Sequence, residues 1–177
     1  MIRAHNLDLS SREGDMRKWQ AFPIKETTEH DDGEEEIASE LGVVAAHEAG
    51  HIEIAHFTEV EVEWARAKQA GTGTTKIANL ESAPPRKRAL IAVAGRVAEE
   101  VLCRVPRKTL PGNDRDLLYN ALNDLGDDTI TEEALREEVR EILEECRERA
   151  ERVQMKLIAT SNANVSGAAL RGAAEGT

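Results

Sequence analysis

Three polar side chains interrupt an apolar stretch at residues 41–52, and they constrain the fold more than any other feature. They are His47, Glu48 and His51. The surrounding apolar residues recur at helical spacing, which predicts a helix from near Ile37. They are Leu41, Val44, Ala45, Ala49 and Ile52. Burying three polar groups without partners is costly. The rest of the chain therefore has to supply partners for them.

The spacing of these side chains is typical of a metal site. His47 and His51 are four residues apart, so on a helix they lie on one face, one turn from each other. Two neutral imidazoles at that separation can both bind one zinc ion and leave its far side open. Glu48 can then take a proton from a water that the metal activates. The pattern H-E-x-x-H predicts a zinc site with Glu48 as general base.

A catalytic zinc site needs a third protein ligand, and His56 is a poor candidate. Metzincins place their third histidine ten residues after the first, and Phe57 holds that position here. Ile54 stands where the preceding glycine of that motif belongs. We expect His56 to be an exposed or capping residue.

Two other candidates for the third ligand remain open from the residues alone. Glu99 or Glu100 lies on a predicted second helix, and gluzincins take their third ligand from such a helix. Asp114 lies where a third helix begins. The simpler interpretations are a solvated helix face for the glutamates and an ordinary N-cap for Asn113 and Asp114.

The remaining patterns predict an α+β fold with mostly helical content and a small β-hairpin. Strands are predicted at residues 58–67, with Val62 and Trp64 on one face, and at residues 74–80, with Ile77 inward. Further helices are predicted from Pro84-Pro85 to about residue 103, from residue 113 to 125, and from a capping box at residues 129–132 to about 160. The second of these has small residues at its centre, so another helix can approach closely.

Three regions follow along the chain. The acidic composition of residues 1–36 predicts a flexible arm. The predicted globular domain comprises residues 37–160. The small and polar residues 161–177 predict a flexible tail.

Composition narrows the class of protein and its compartment. The net charge of −11 disfavours binding to nucleic-acid phosphates. No apolar run is long enough for a signal peptide or a membrane span, so we expect a cytoplasmic protein without membrane contact. Cys103 and Cys146 lack metal-ligand spacing and are expected to be buried free thiols.

Three motifs in a fixed order resemble the peptidase domain of FtsH, the membrane-bound AAA protease. They are residues 47–51 (HEAGH), residues 94–100 (AGRVAEE) and residues 112–117 (GNDRDL). Members of that family carry HEAGH, a small-residue helix reading G-G-R-x-A-E-E, and a later S-N-D at a helix start. The resemblance covers roughly residues 41–160.

The resemblance implies a set of roles for individual residues. It makes His47, His51 and Asp114 the zinc ligands and Glu48 the general base. Glu99 matches a family carboxylate that orients a ligand or a water. The strand at residues 75–80 corresponds to the edge strand on which family members bind an extended substrate.

The resemblance also predicts a function that differs from that of the whole family protein. Residues 71–74 (GTGT) lack the lysine of a Walker-type phosphate loop, and no other nucleotide-binding segment is present. We therefore expect an ATP-independent zinc endopeptidase acting on peptides or unfolded protein segments, unless a separate ATPase threads its substrates. A homo-oligomer stays open, because FtsH domains form hexamers.

Two alternative functions fit the same motifs. The domain could be a catalytically idle module that binds metal or peptide, although retention of Glu48 argues against this. It could also be a zinc hydrolase of a non-peptide amide, because the metal chemistry is the same.

Overall fold

One helix, α1 (Glu40–Phe57), contacts both the neighbouring helices and the sheet. A computed structural model describes residues 39–105 and 109–177, so the predicted arm at residues 1–36 lies outside the described residues. The other elements are β1 (Val62–Lys68), β2 (Thr72–Ile77), α2 (Pro85–Cys103), α3 (Gly112–Leu125), α4 (Glu132–Glu145), α5 (Arg147–Ala159), β3 (Val165–Ser166) and α6 (Gly167–Glu175).

Helix α1 begins later than predicted because a capping side chain precedes it. The Ser39 hydroxyl accepts a hydrogen bond from the Gly42 amide at 3.1 Å, which satisfies one of the unpaired amides of the first turn. At the other end, the Thr58 hydroxyl donates to the Ile54 carbonyl at 2.7 Å. Buried residues occur on nearly all sides of the helix, as expected for a helix at the centre of a core.

The sheet has three antiparallel strands in the order β2-β1-β3, which confirms the predicted hairpin and adds one strand. A register irregularity separates Val62 from Trp64. Val62, Ala65 and Ala67 are buried, whereas Trp64 is only half-buried. The prediction that Val62 and Trp64 share a face is therefore wrong, because the irregularity shifts the alternation by one residue.

Helices α1 and α2 approach each other closely at two glycines. A Cβ atom on Gly50 would lie 2.5 Å from the Ala94 carbonyl oxygen. A Cβ atom on Gly95 would lie 2.4 Å from Cε1 of His47. Both distances are below any real carbon contact, so only glycine fits at either position. The small-residue face predicted for α2 is confirmed in this contact.

The long helix predicted to end near residue 160 is divided in two at Cys146, which joins α4 to α5. The two halves have different neighbours, since α4 packs mainly on α2 and α5 mainly on α1. The cap also differs from the prediction. Thr131 rather than Thr129 caps α4, and its hydroxyl accepts from the Ala134 amide at 3.2 Å.

The last residues of the chain are ordered, in contrast to the flexible tail predicted for residues 161–177. Val165 pairs with Ala65 of β1, and helix α6 follows directly. Leu170 is fully buried and Ala174 nearly so. Burial of these side chains in the core explains why this small and polar stretch holds a fixed structure.

The described structure confirms the predicted α+β class with predominantly helical content. No helix in residues 39–105 and 109–177 has the length and apolar character needed to cross a bilayer. Cys103 and Cys146 are both free thiols, and each is half-buried rather than fully buried.

Candidate metal centre

Three side chains from two helices direct one donor atom each toward a common point. Nε2 of His47 lies 3.0 Å from Nε2 of His51, and both nitrogens approach Oδ2 of Asp114, at 3.2 and 3.6 Å. Within the described ranges, this is the one group of three that could hold a metal ion. The two histidines stack one turn apart on α1, while Asp114 comes from the first turn of α3.

The donor spacing fits a tetrahedral zinc ion. Zinc–ligand bonds of about 2.0–2.1 Å in a tetrahedron place neighbouring donor atoms about 3.3 Å apart. The three separations observed, from 3.0 to 3.6 Å, bracket that value. In addition, Oδ2 of Asp114 is buried, and its polar neighbours are the two imidazole nitrogens. A buried carboxylate oxygen in that situation is well suited to a cation.

The other ring nitrogen of each histidine is held by a hydrogen bond. Nδ1 of His47 donates to Oε1 of Glu99 at 2.7 Å, and Nδ1 of His51 donates to the Ile91 carbonyl at 2.8 Å. Arg96 in turn binds both oxygens of Glu99, at 2.7 and 2.5 Å. These partners place the Nδ1 protons, so that each Nε2 atom faces the common point, as in many protein zinc sites.

The electrostatics of the three donors favour a cation between them. Burial lowers the pKa of His47, but hydrogen bonds to Asp114 and Glu99 and the charge of Glu48 outweigh it and raise that pKa to about 9. Burial alone would raise the pKa of Asp114, yet hydrogen bonds with His47 and His51 hold it well below its usual range. Without a metal, His47 therefore carries a proton at neutral pH, which occupies the position that a metal would take.

The carboxylate of Glu48 lies beside the donors and is held by the sheet. Its Oε2 accepts a hydrogen bond from the Thr75 hydroxyl of β2 at 2.6 Å. Only 5% of Glu48 is exposed. The residue thus contributes a buried carboxylate next to the first histidine, on the side of α1 that faces β2.

The donors open into a cleft of about 780 Å³ between β2, α2 and α3. One wall is β2, and apolar side chains form part of the opposite side. The lining includes Gly73, Thr75, Ile77, Leu80, Ile91 and Leu117. A cleft with a sheet strand as one wall offers an extended chain a strand to pair with.

The structure distinguishes between the candidates for a third ligand. Asp114 joins the two histidines, and it is not an N-cap: Pro111 holds that position without a side-chain cap. Glu99 faces the Nδ1 atom of His47, away from the converging donors. Glu100 turns to α4, where it pairs with Arg136 at 2.6 Å and with Arg140 at 2.9 Å.

His56 lies apart from this group, at the far end of α1. It is half-buried and lines a different cavity. The expectation was an exposed or capping residue, but Thr58 is the C-cap of α1. The sequence had not indicated Thr75, Arg96 or the Ile91 carbonyl as members of the site. Two signals pointed to Arg96: it stands three residues before Glu99, a spacing typical of ion pairs on a helix, and it belongs to the motif at residues 94–100.

No protein-family model matches the chain, and no curated protein matches it either. The resemblance to FtsH therefore depends on the three motifs themselves.

Proposed function

We propose that this protein is a zinc-dependent endopeptidase that cleaves peptides or unfolded protein segments. The observation that carries the proposal is the convergence of His47, His51 and Asp114 in an open cleft with Glu48 beside them. The donor set of two imidazoles and one carboxylate is that of catalytic zinc sites, which keep one position for water or substrate. The order of the motifs, similar to that of the FtsH peptidase domain, supports the same reaction.

Each residue has a defined part in this mechanism. When bound, zinc supplies Lewis-acid activation of a water molecule and of the scissile carbonyl. Glu48 accepts a proton from the attacking water and passes it to the leaving amine. Glu99 and the Ile91 carbonyl keep the two imidazoles in the required tautomer, and Asp114 contributes the negative charge that the histidines lack.

Strand β2 is the proposed substrate platform. In the described sheet, β2 pairs with β1 on one side only, so its other edge is open to a further strand. It runs along the cleft beside Glu48. An extended peptide added to this edge would pass the metal site with its backbone held by main-chain hydrogen bonds. Such binding would favour peptides and unfolded segments over folded proteins.

A non-catalytic, metal-binding module is the alternative that the same site allows. The buried position of Glu48 favours the enzyme, because a purely structural metal site has no use for an additional carboxylate. A folded substrate would need a separate ATPase to unfold it. The zinc hydrolase of a non-peptide amide differs only in its substrate.

The central experiment measures zinc content and cleavage of an unfolded protein in the same preparations. We expect one zinc per chain in the wild type, and loss of zinc in His47→Ala and Asp114→Ala. Glu48→Gln should keep its zinc and lose cleavage, since removal of a general base costs about 10²–10⁴-fold in rate. The chelator-treated wild type should be inactive and should recover when zinc is restored.

A matched control comes from the same cleft. Glu81 is an exposed carboxylate that lines it, so Glu81→Gln should retain both zinc and activity. Zinc bound equally by the wild type and Asp114→Ala would remove Asp114 from the ligand set. Cleavage that survives in Glu48→Gln, or that is absent from zinc-loaded wild type across varied peptides, would overturn the peptidase proposal. Zinc without any cleavage supports the binding module.

A further inference from the structure

Two residues of β2 hold the carboxylate of Glu48 between them. The Thr75 hydroxyl donates to Oε2 at 2.6 Å. A Cβ atom on Gly73 would lie 2.2 Å from Oε1, so the strand passes directly over the other oxygen. Residues two apart on a strand point to the same face, which is why both reach the same side chain. The strand therefore touches both oxygens of the proposed base.

Thr75 is the only side chain found hydrogen-bonded to Glu48 among residues 39–105 and 109–177. Helix α1 fixes where the Glu48 side chain begins, but its three rotatable bonds leave the carboxylate free to turn. A hydrogen bond from a hydroxyl to a carboxylate is stronger than one between neutral groups. Thr75 is thus the contact that selects one orientation of the carboxylate.

We propose that Thr75 is a positioning residue for Glu48, so that the strand expected to carry the substrate also orients the general base. This inference rests on the proposed peptidase function. It links substrate binding to the general base, because the proposed peptide would pair with β2 and the Glu48 carboxylate is also held by β2. Gly73 is part of the same arrangement, because any side chain there would push the carboxylate out of place.

The direct test compares three threonine variants on one peptide substrate. Thr75→Val keeps the shape and strand preference of the residue but loses the hydroxyl. We expect kcat to fall about 10- to 100-fold with KM and zinc content unchanged, because only orientation of the base is lost. Thr75→Ser retains the hydroxyl and should keep kcat within about threefold of the wild type.

Thr160→Val is the matched control outside the cleft and the proposed substrate strand. The Thr160 hydroxyl lies at the end of α5 and donates to the Lys156 carbonyl, at 2.7 Å. Its loss should leave kcat and KM unchanged. An unchanged kcat in Thr75→Val, an effect confined to KM, or an equal loss in Thr160→Val would each overturn the proposal.

Gly73→Ala provides a second route to the same group. The added methyl meets the flexible end of the Glu48 side chain rather than the backbone, so the protein should fold and bind zinc while kcat falls. An unchanged kcat with the alanine in place would count against the arrangement.

A measurement without metal separates this inference from the peptidase proposal. Thr75→Val, Glu48→Ala and the double variant are unfolded thermally in the presence of chelator. If the two side chains interact, the double variant should lose less in Tm than the sum of the single losses. Additive losses would overturn the positioning role. If zinc-loaded wild type cleaves nothing, the peptidase proposal fails, whereas this stability cycle still decides whether Thr75 holds Glu48.

Discussion

Helix α1 carries two clusters of polar side chains, which are neutralised differently. In the cleft cluster, in the middle of the helix, His47 and His51 meet the Asp114 carboxylate, and no lysine or arginine of the described residues pairs with the three donor atoms. In the Arg149 cluster, nearer the C-terminus of the helix, Glu53 is 1% exposed and pairs with Arg149 at 3.0 Å.

His56 also belongs to the Arg149 cluster. Its Nε2 atom is buried without a hydrogen-bond partner, beside a cavity of about 500 Å³. Burial lowers its pKa, and the charges of Arg171 and Arg149 lower it further, so the ring is neutral at physiological pH. The Arg149 cluster contains a cation, the Arg149 guanidinium of α5, beside the Glu53 carboxylate.

The comparison shows what makes one buried polar group a candidate site and the other a structural pair. A set of donors and acceptors that lacks a cation has to acquire one, either a proton or a metal ion. A set that includes an arginine has its counter-charge within the protein. The cleft cluster therefore favours ligand binding, and the Arg149 cluster favours only pH-dependent stability.

The largest expected effect is a difference in zinc affinity between variants of the two clusters. His51→Ala should weaken zinc binding on the order of a hundredfold or more, since each ligand carries a share of the total binding free energy. His56→Ala, which removes a histidine from the Arg149 cluster of the same helix, should leave zinc affinity unchanged. Competition with a chromophoric chelator measures both. Equal losses in the two variants would contradict the distinction.

The second prediction concerns stability against pH in the metal-free protein. The pKa of His47 is about 9 in the folded protein and near 6.5 when unfolded. Its contribution is therefore fully present below pH 6.5 and is lost as the pH rises through 9. We expect the metal-free wild type to lose about 2–3 kcal/mol between pH 6.5 and 9. Urea unfolding with chelator should show this decline, and His47→Gln should show a much shallower one, caused near pH 9 by the raised pKa values of Cys103 and Cys146.

The third prediction uses two glycines with different surroundings. Gly95→Ala should destabilise the protein by about 1–3 kcal/mol and weaken zinc binding, because the methyl group would overlap the His47 ring. Gly112→Ala is the control, since nothing lies within 4 Å of an added Cβ atom there. We expect it to change stability by less than about 0.5 kcal/mol. Thermal melts and zinc titration of both variants test the contrast.

The smallest effect on stability is expected in the Arg149 cluster. Burial raises the pKa of Glu53, and the Arg149 charge opposes this shift. Arg149→Met should cost about 1–2 kcal/mol at neutral pH, because it leaves a buried carboxylate without its cation. Because the pKa of Glu53 is raised in the folded protein, the variant should lose stability as the pH rises through that folded pKa.

Adding Glu53→Gln to the same chain tests the cause. The double variant should recover most of the loss and should lose the pH dependence, while zinc affinity stays at the wild-type level throughout. Failure of the second substitution to restore stability would show that Arg149 acts by another contact.

Local patterns in the sequence predicted the elements that bear the site. The spacing of His47 and His51 on a helix, the start of α2 at Pro85 and the start of α3 near Asp114 depend on residues close together in the chain. Helical periodicity and proline positions encode such features directly.

Contacts between distant residues determined what the sequence did not predict. No glycine or proline marks the break between α4 and α5 at Cys146. The break allows α4 to pack on α2 and α5 to pack on α1. The hydrogen bond of Thr75 to Glu48 spans 27 positions and depends on the register of β2. The ordered C-terminal segment also escaped prediction, because its stability comes from pairing with β1.

The reciprocal fit of Gly50 and Gly95 bears on how relatives of this protein can be recognised. Metal-binding residues can exchange for one another, since histidine, aspartate and glutamate all bind divalent ions. The two glycines have no such substitutes: each faces the opposing helix at a distance that excludes even a methyl group. A relative that keeps this helix pair must keep both of them. The two glycines together are therefore a more restrictive sequence signature than the candidate metal ligands.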